Sequence, residues 1–172
     1  MPVIALILST LLFWGIYWFV RMGGIDHLRE KSQQRKDAAR RVQARESERT
    51  APLRAIDDPR DAATVLMLLI TRGGDPTASQ VSAIEDTMRR VFSFDHDARD
   101  RLTHARFIAG CAQSFAEAAG LFADLFNKQL NVEERRELIG MVEDIARIDG
   151  PSPTQTENID ILKRKMRLAP AV

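Results

Sequence analysis

The residues best equipped for chemistry gather in one short stretch, Asp95-His96-Asp97, Asp100 and His104. Asp97, Asp100 and His104 stand at i, i+3 and i+7, one face of a helix, and Asp100 with His104 has metal-ligand spacing. A plainer reading fits the same residues. Acids in a first helical turn oppose its positive end, and histidines among Arg99, Arg101 and Arg106 suit a solvated face. Ligand-type residues without a fixed pattern occur by chance in charged helices, so the plainer reading is preferred. Cys111, the single cysteine, lies between Gly110 and Ala112 and reads as a small buried hydrophobe. One cysteine excludes an intramolecular disulfide framework and a Cys-rich zinc site. No signature frames a nucleophile and its base, and Gly73-Gly74 lacks the spacing and preceding strand of a phosphate loop. Neither a catalytic residue nor a resident cofactor is expected.

Charge is segregated along the 172 residues. Residues 1–20 carry no charged side chain, 21–50 carry nine Lys/Arg against five Asp/Glu, and 51–172 carry sixteen against nineteen. A slightly acidic downstream part without Trp or Tyr disfavours a nucleic-acid partner. Phe92, Phe94, Phe107, Phe115, Phe122 and Phe126 are expected in a core instead.

Val3 to Val20 is an 18-residue run interrupted only by Ser9, Thr10 and Gly15. As a helix it would span roughly 27 Å, close to the hydrocarbon thickness of a bilayer. Phe13, Trp14, Tyr17, Trp18 and Phe19 crowd one end of it, as aromatic residues do at a headgroup boundary. The basic leader and small-residue cleavage site of a signal peptide are both missing. All nine basic residues of the flanking segment follow the run, so the positive-inside rule places the N-terminus outside and the downstream part in the cytoplasm. The expectation is a single-pass protein of the inner (cell) membrane.

Three segments follow: an anchor over 1–22, a basic juxtamembrane stalk over 23–52, and an all-helical domain over 53–172. The stalk is rich in Arg, Gln, Ala, Lys and Glu with no continuous apolar seam, which predicts a charged helical spacer rather than a coiled coil. In the domain, six apolar stretches at helical spacing are separated by turn and cap residues. The starts are Asp57-Asp58-Pro59, Thr77 or Ser79, Asp95, Ser114, Asn131, and Ser152 or Thr154. The inward stripe of the second helix is Val81, Ile84, Met88 and Val91. No stretch alternates with period two, so the domain is expected to be all-α, a six-helix bundle.

Ala62 to Met88 and Leu138 to Met166 share an order: apolar helix, glycine-containing turn, Thr/Ser-rich start, apolar helix. With Glu143-Asp144-Ile145-Ala146-Arg147-Ile148-Asp149-Gly150 and then Glu157, this pseudo-repeat resembles the TerB-like domain over roughly residues 57–168. That family includes tellurite-resistance proteins and the N-terminal domain of a membrane-anchored DnaJ-type cochaperone. The resemblance implies a membrane-tethered module that binds a protein partner, linked to bacterial tellurite or envelope stress. It also implies an acidic turn able to take a divalent metal, here Asp149 and Glu157. On that ground the alternative is a metal- or oxyanion-responsive module, extended at most to hydrolysis. Two departures stand out. The first copy has Gly73-Gly74 and Gln80 where the family has Asp-Gly and Glu, and the cochaperone's His-Pro-Asp is missing.

Overall fold

The computed structural model describes residue 40 and residues 43–71 and 75–168. The chain divides into two compact units, Met1–Glu48 and Arg49–Val172. Of the first, residues 40 and 43–48 are helical and exposed. The anchor expected over 1–22 and the stalk up to residue 39 lie outside the described residues. Among the described residues no helix is long and apolar enough to cross a membrane.

The second unit contains helices and no strand among its described residues. Residues 49–54 are helical and place Thr50 and Leu53 in the interior, so the domain's packing begins before the boundary expected at 52/53. Six helices follow: α1 (Pro59–Leu69), α2 (Ala78–Arg90), α3 (Ala98–Cys111), α4 (Phe115–Gln129), α5 (Val132–Arg147) and α6 (Pro153–Lys165). Their starts obey local chemistry. Asp58 caps α1 by accepting from the Arg60 amide, with Pro59 in the first turn where its missing N–H costs nothing. Ser114 caps α4 through the Glu117 amide. Thr77, Asn131 and Ser152 open α2, α5 and α6 with reciprocal capping boxes, in which the third helical residue bonds back to the cap.

The third helix departs from expectation. Its N-cap is Asp97 rather than Asp95, and Asp97 makes no side-chain capping bond. Its carboxylate is drawn away by Arg101, whose Nε donates to Oδ2 at 2.7 Å. A charge-assisted bond outcompetes a neutral cap amide.

Residues Ala62 to Leu68 are buried at every position, so α1 shows no polar stripe and is the central helix, packed against α2, α3, α4 and α5. Phe122 and Phe126 of α4 meet edge to face with centroids 6.2 Å apart, and Ile84, Met88, Leu162 and Met166 complete the interior. Two expected core residues are outside. Phe107 is 64% exposed because the buried stripe of α3 is Ala98, Leu102, Ala105 and Ile108, which leaves position 107 on another face. Val91 is 54% exposed because α2 stops at Arg90, one residue before that stripe would use it. Cys111, expected buried, is half-buried, and its thiol donates to the Phe107 carbonyl.

The chain runs up and down, so the α1–α2, α3–α4 and α5–α6 connections share one end of the bundle and the α2–α3 and α4–α5 connections share the other. At that second end α6 stops in a Schellman motif. Leu168 N–H donates to Lys163 O at 3.0 Å and Arg167 N–H to Arg164 O at 3.1 Å, with Arg167 left-handed at φ 57°.

Candidate functional site

At the first end lies a cleft of about 940 Å³. Its walls are the last turn of α1 (Leu68 to Thr71), Asp75-Pro76, the C-terminal half of α3 (Arg106, Ala109, Gly110), the α3–α4 turn with Phe115, and the first turns of α6 (Ser152, Thr154, Gln155, Asn158). Four helix ends therefore open onto one space. Two present N-terminal amides, at Ser114 and Ser152, and two present C-terminal carbonyls, so the dipoles oppose one another in pairs.

The walls are held by side chains that the sequence does not advertise. Gln155 is buried at the third position of α6; its Oε1 accepts from Ser152 N at 2.8 Å and its Nε2 donates to Ile70 O at 2.8 Å. That single amide closes the α6 cap and satisfies the carbonyl at the end of α1. Gln80 holds the same position in α2, is equally buried, and accepts from Thr77 N at 3.0 Å. On the opposite wall Glu117 receives Arg49 Nη1 at 2.9 Å, Arg49 Nη2 as well, and the Gln113 amide at 2.8 Å. Arg49 also donates to the Cys111 carbonyl at 2.6 Å, so the pair clamps the α3–α4 turn. Hydrogen bonding from Arg49 is the main reason the Glu117 carboxyl titrates below its ordinary range; burial opposes that shift and the Gln113 amide adds to it.

The residues singled out from sequence go elsewhere. Asp149 lies in the turn after α5, just before Gly150, which takes φ 78°, and its Oδ2 accepts from Thr77 Oγ1 at 3.1 Å. This bond joins the two repeated turns. Glu157 stands exposed at the fifth position of α6, and neither it nor Asp149 lines the cleft. The repeat therefore aligns Gln80 with Gln155, not with Glu157. Among the described residues no group of three or more His, Cys, Asp or Glu side chains is placed to hold a metal ion. Asp97 is paired with Arg101, whereas Asp100 and His104 point into solvent.

The second end has a different construction. Phe94 is 4% exposed and receives the guanidinium groups of Arg60 at 4.7 Å and Arg101 at 4.2 Å from its ring centroid. Arg101 donates to both oxygens of Asp61 at 2.9–3.0 Å, and Arg60 donates to Asp58 and to the Phe92 carbonyl. The arginine hydrogen bonds hold the Asp58 and Asp97 carboxyls below their ordinary range. Ser93, at φ 58°, turns the chain so that Phe92 and Phe94 both face inward, with centroids 5.9 Å apart. This end is salt-bridged and capped with rings.

No protein-family model matches the chain, and no curated protein or solved structure matches it. The cleft's chemistry must be judged from its own residues. Among the described residues its lining contains no His or Cys, and the Ser114 and Ser152 hydroxyls are engaged as helix caps. Arg106 is exposed on the rim with no ion-pair partner among the described residues. An ideal side chain at Gly110 would meet nothing within 4 Å, so a partner can approach the α3 backbone there.

Proposed function

We propose that the chain is a membrane-tethered, non-enzymatic helical module that binds a protein partner through the cleft between α1, α3, α4 and α6. The cleft is the observation that carries this reading. It offers mixed apolar and hydrogen-bonding walls, an accessible backbone at Gly110 and an uncommitted cation at Arg106, which suits a polypeptide segment. The tether rests on the apolar run Val3 to Val20 and the basic residues that follow it, with the N-terminus outside and the domain cytoplasmic. The TerB likeness, and with it a role in bacterial tellurite or envelope stress, belongs to the same proposal. Its support is the sequence pattern around Asp149-Gly150 and the pseudo-repeat that contains it.

Photo-crosslinking in cells tests the reading. A crosslinker at Arg106 or Thr154 should capture a discrete protein band that Gly110→Trp abolishes, whereas one at Asp86 on α2 should not. Equal capture at all three positions, or capture insensitive to Gly110→Trp, sinks the cleft as the docking site. Labelling of Ser79→Cys on a Cys111→Ala background by an impermeant maleimide in unopened cells with a permeable outer membrane would reverse the topology.

A further inference from the structure

The second end of the bundle carries a surface that neither the cleft nor the core explains. The C-termini of α4 and α6 and the N-terminus of α5 are tied together there. Arg135 Nη1 donates to Asn127 Oδ1 and to Met166 O, both at 2.7 Å, and Asn127 Nδ2 donates to Lys165 O at 3.1 Å. Around this knot Lys128, Arg164, Lys165 and Arg167 are exposed, and none has an ion-pair partner among the described residues. Val132, the first residue of α5, stands among these helix ends and is 43% exposed.

Helix-end electrostatics account for cations in the last turns of α4 and α6. They do not account for Arg167, which lies beyond α6, nor for an apolar side chain left uncovered beside the cations. Two carboxylates of the first turn of α5 are already engaged, while exposed Asp57 lies beside Gln129 at the edge of this end. Glu133 is bonded to Arg136, and Glu134 accepts from the Asn131 amide at 2.7 Å. Exposed Asp124 and Asp160 sit a helical turn back from it.

We propose that this α4–α5–α6 end is a docking surface for an anionic lipid bilayer, with Val132 entering the headgroup region and the four cations facing the lipid phosphates. The proposal rests on the membrane-tethered reading above, which keeps a bilayer within reach. Four cations on a domain of negative net charge suit such a surface better than a nucleic acid, whose recognition needs a wider basic face. Each cation near an anionic leaflet favours contact roughly fivefold at moderate salt.

The test uses the full chain with phosphatidylcholine vesicles, with or without phosphatidylglycerol, and a polarity-sensitive fluorophore at Val132→Cys on a Cys111→Ala background. With phosphatidylglycerol present, emission should shift to the blue and be quenched by spin-labelled lipid. High salt, or Arg164→Glu with Lys165→Glu and Arg167→Glu, should lower both signals to the level seen in phosphatidylcholine. The same probe at Ser79→Cys, at the first end, should stay in water throughout, and an unchanged melting temperature of the triple variant confirms that it is folded. Flotation separates this proposal from the tether. A chain that floats with both vesicle types while position 132 stays wet overturns the docking surface and leaves the anchor standing. One that floats only with anionic vesicles and is stripped by salt overturns the anchor and keeps the surface. Flotation with neither, or salt-sensitive binding of duplex DNA in place of lipid contact, overturns the docking surface.

Discussion

Both ends of this bundle must tie together helix termini from distant parts of the chain, and they do so with different side chains. The first end closes its caps with neutral amides, Gln80 and Gln155, while Thr77 reaches the Asp149 carboxylate and Arg49 clamps Glu117. The second end uses arginine. Arg60 and Arg101 cover Phe94 and neutralise Asp58, Asp61 and Asp97, while Arg135 bridges α4, α5 and the end of α6. A guanidinium fork satisfies several acceptors and covers a ring in one move, so it seals an end. A glutamine amide reaches fewer groups and covers little, which leaves room for a cleft. Arg49 and Glu117 clamp the α3–α4 turn at the open end, but the tie between α1 and α6 there is a neutral amide.

Truncating a phenylalanine at each end should give the largest contrast. Phe94 and Phe115 are each 4% exposed. Phe94→Ala leaves a sealed void under two unpaired guanidinium faces and should cost about 3–5 kcal/mol in urea unfolding. Phe115→Ala enlarges a cleft that water already enters, so the cavity penalty shrinks and the cost should be about 2–3 kcal/mol. Equal losses would show that the first end is as tightly packed as the second.

The two glutamines offer a smaller contrast. Gln155→Leu removes a cap and strands the buried Ile70 carbonyl, for about 2–3 kcal/mol. Gln80→Leu should lose chiefly its cap, about 1 kcal/mol. A reversed order would mean that the bond to α1 contributes nothing.

Acid titration addresses the Arg49–Glu117 ion pair at the cleft end. Because the Glu117 carboxyl is depressed in the folded chain, its stabilisation is fully present above the ordinary glutamate value, near pH 4.5, and fades as pH falls through the lower folded value. Glu117→Gln should flatten that part of the stability–pH curve, seen by circular dichroism melts from pH 7 downward. An unchanged curve would deny the Arg49 clamp.

The smallest effect is a gain. Arg167 and Ser93 occupy the left-handed region at φ 57° and 58°, where a β-carbon is unfavourable. Arg167→Gly and Ser93→Gly should each stabilise by about 0.5–1 kcal/mol after the entropy cost of glycine. The first should also weaken the lipid contact, so stability and docking would move in opposite directions.

The helices were legible because their starts are local chemistry. Asp58-Pro59, Ser114 and Asn131 are caps that act within three residues, and sequence displays them directly. Phe107 misled because residue type was weighed above register; the stripe through Leu102, Ala105 and Ile108 already excluded it. Thr77-x-x-Gln80 and Ser152-x-x-Gln155 are visible capping-box patterns, yet nothing local says that their amides are buried or that Gln155 reaches Ile70. The cleft was illegible for the same reason. Four helix ends far apart in the chain form it, and no periodicity encodes which ends meet. Asp149 and Glu157 drew notice as carboxylates near a turn, but a helix start positions its third residue, and here that residue is glutamine.

The bond from Gln155 to Ile70 spans 85 residues, so it also governs the order of events. Helix α1 can form and collapse against α3 early, but its terminal carbonyl stays hydrated until the last helix arrives. A contact of such separation, made by a single side chain, is expected to form after the main barrier to folding. Its loss would then leave the refolding rate unchanged and speed unfolding. The glutamine is thus a latch on the native state's lifetime, set beside the opening where a partner would bind.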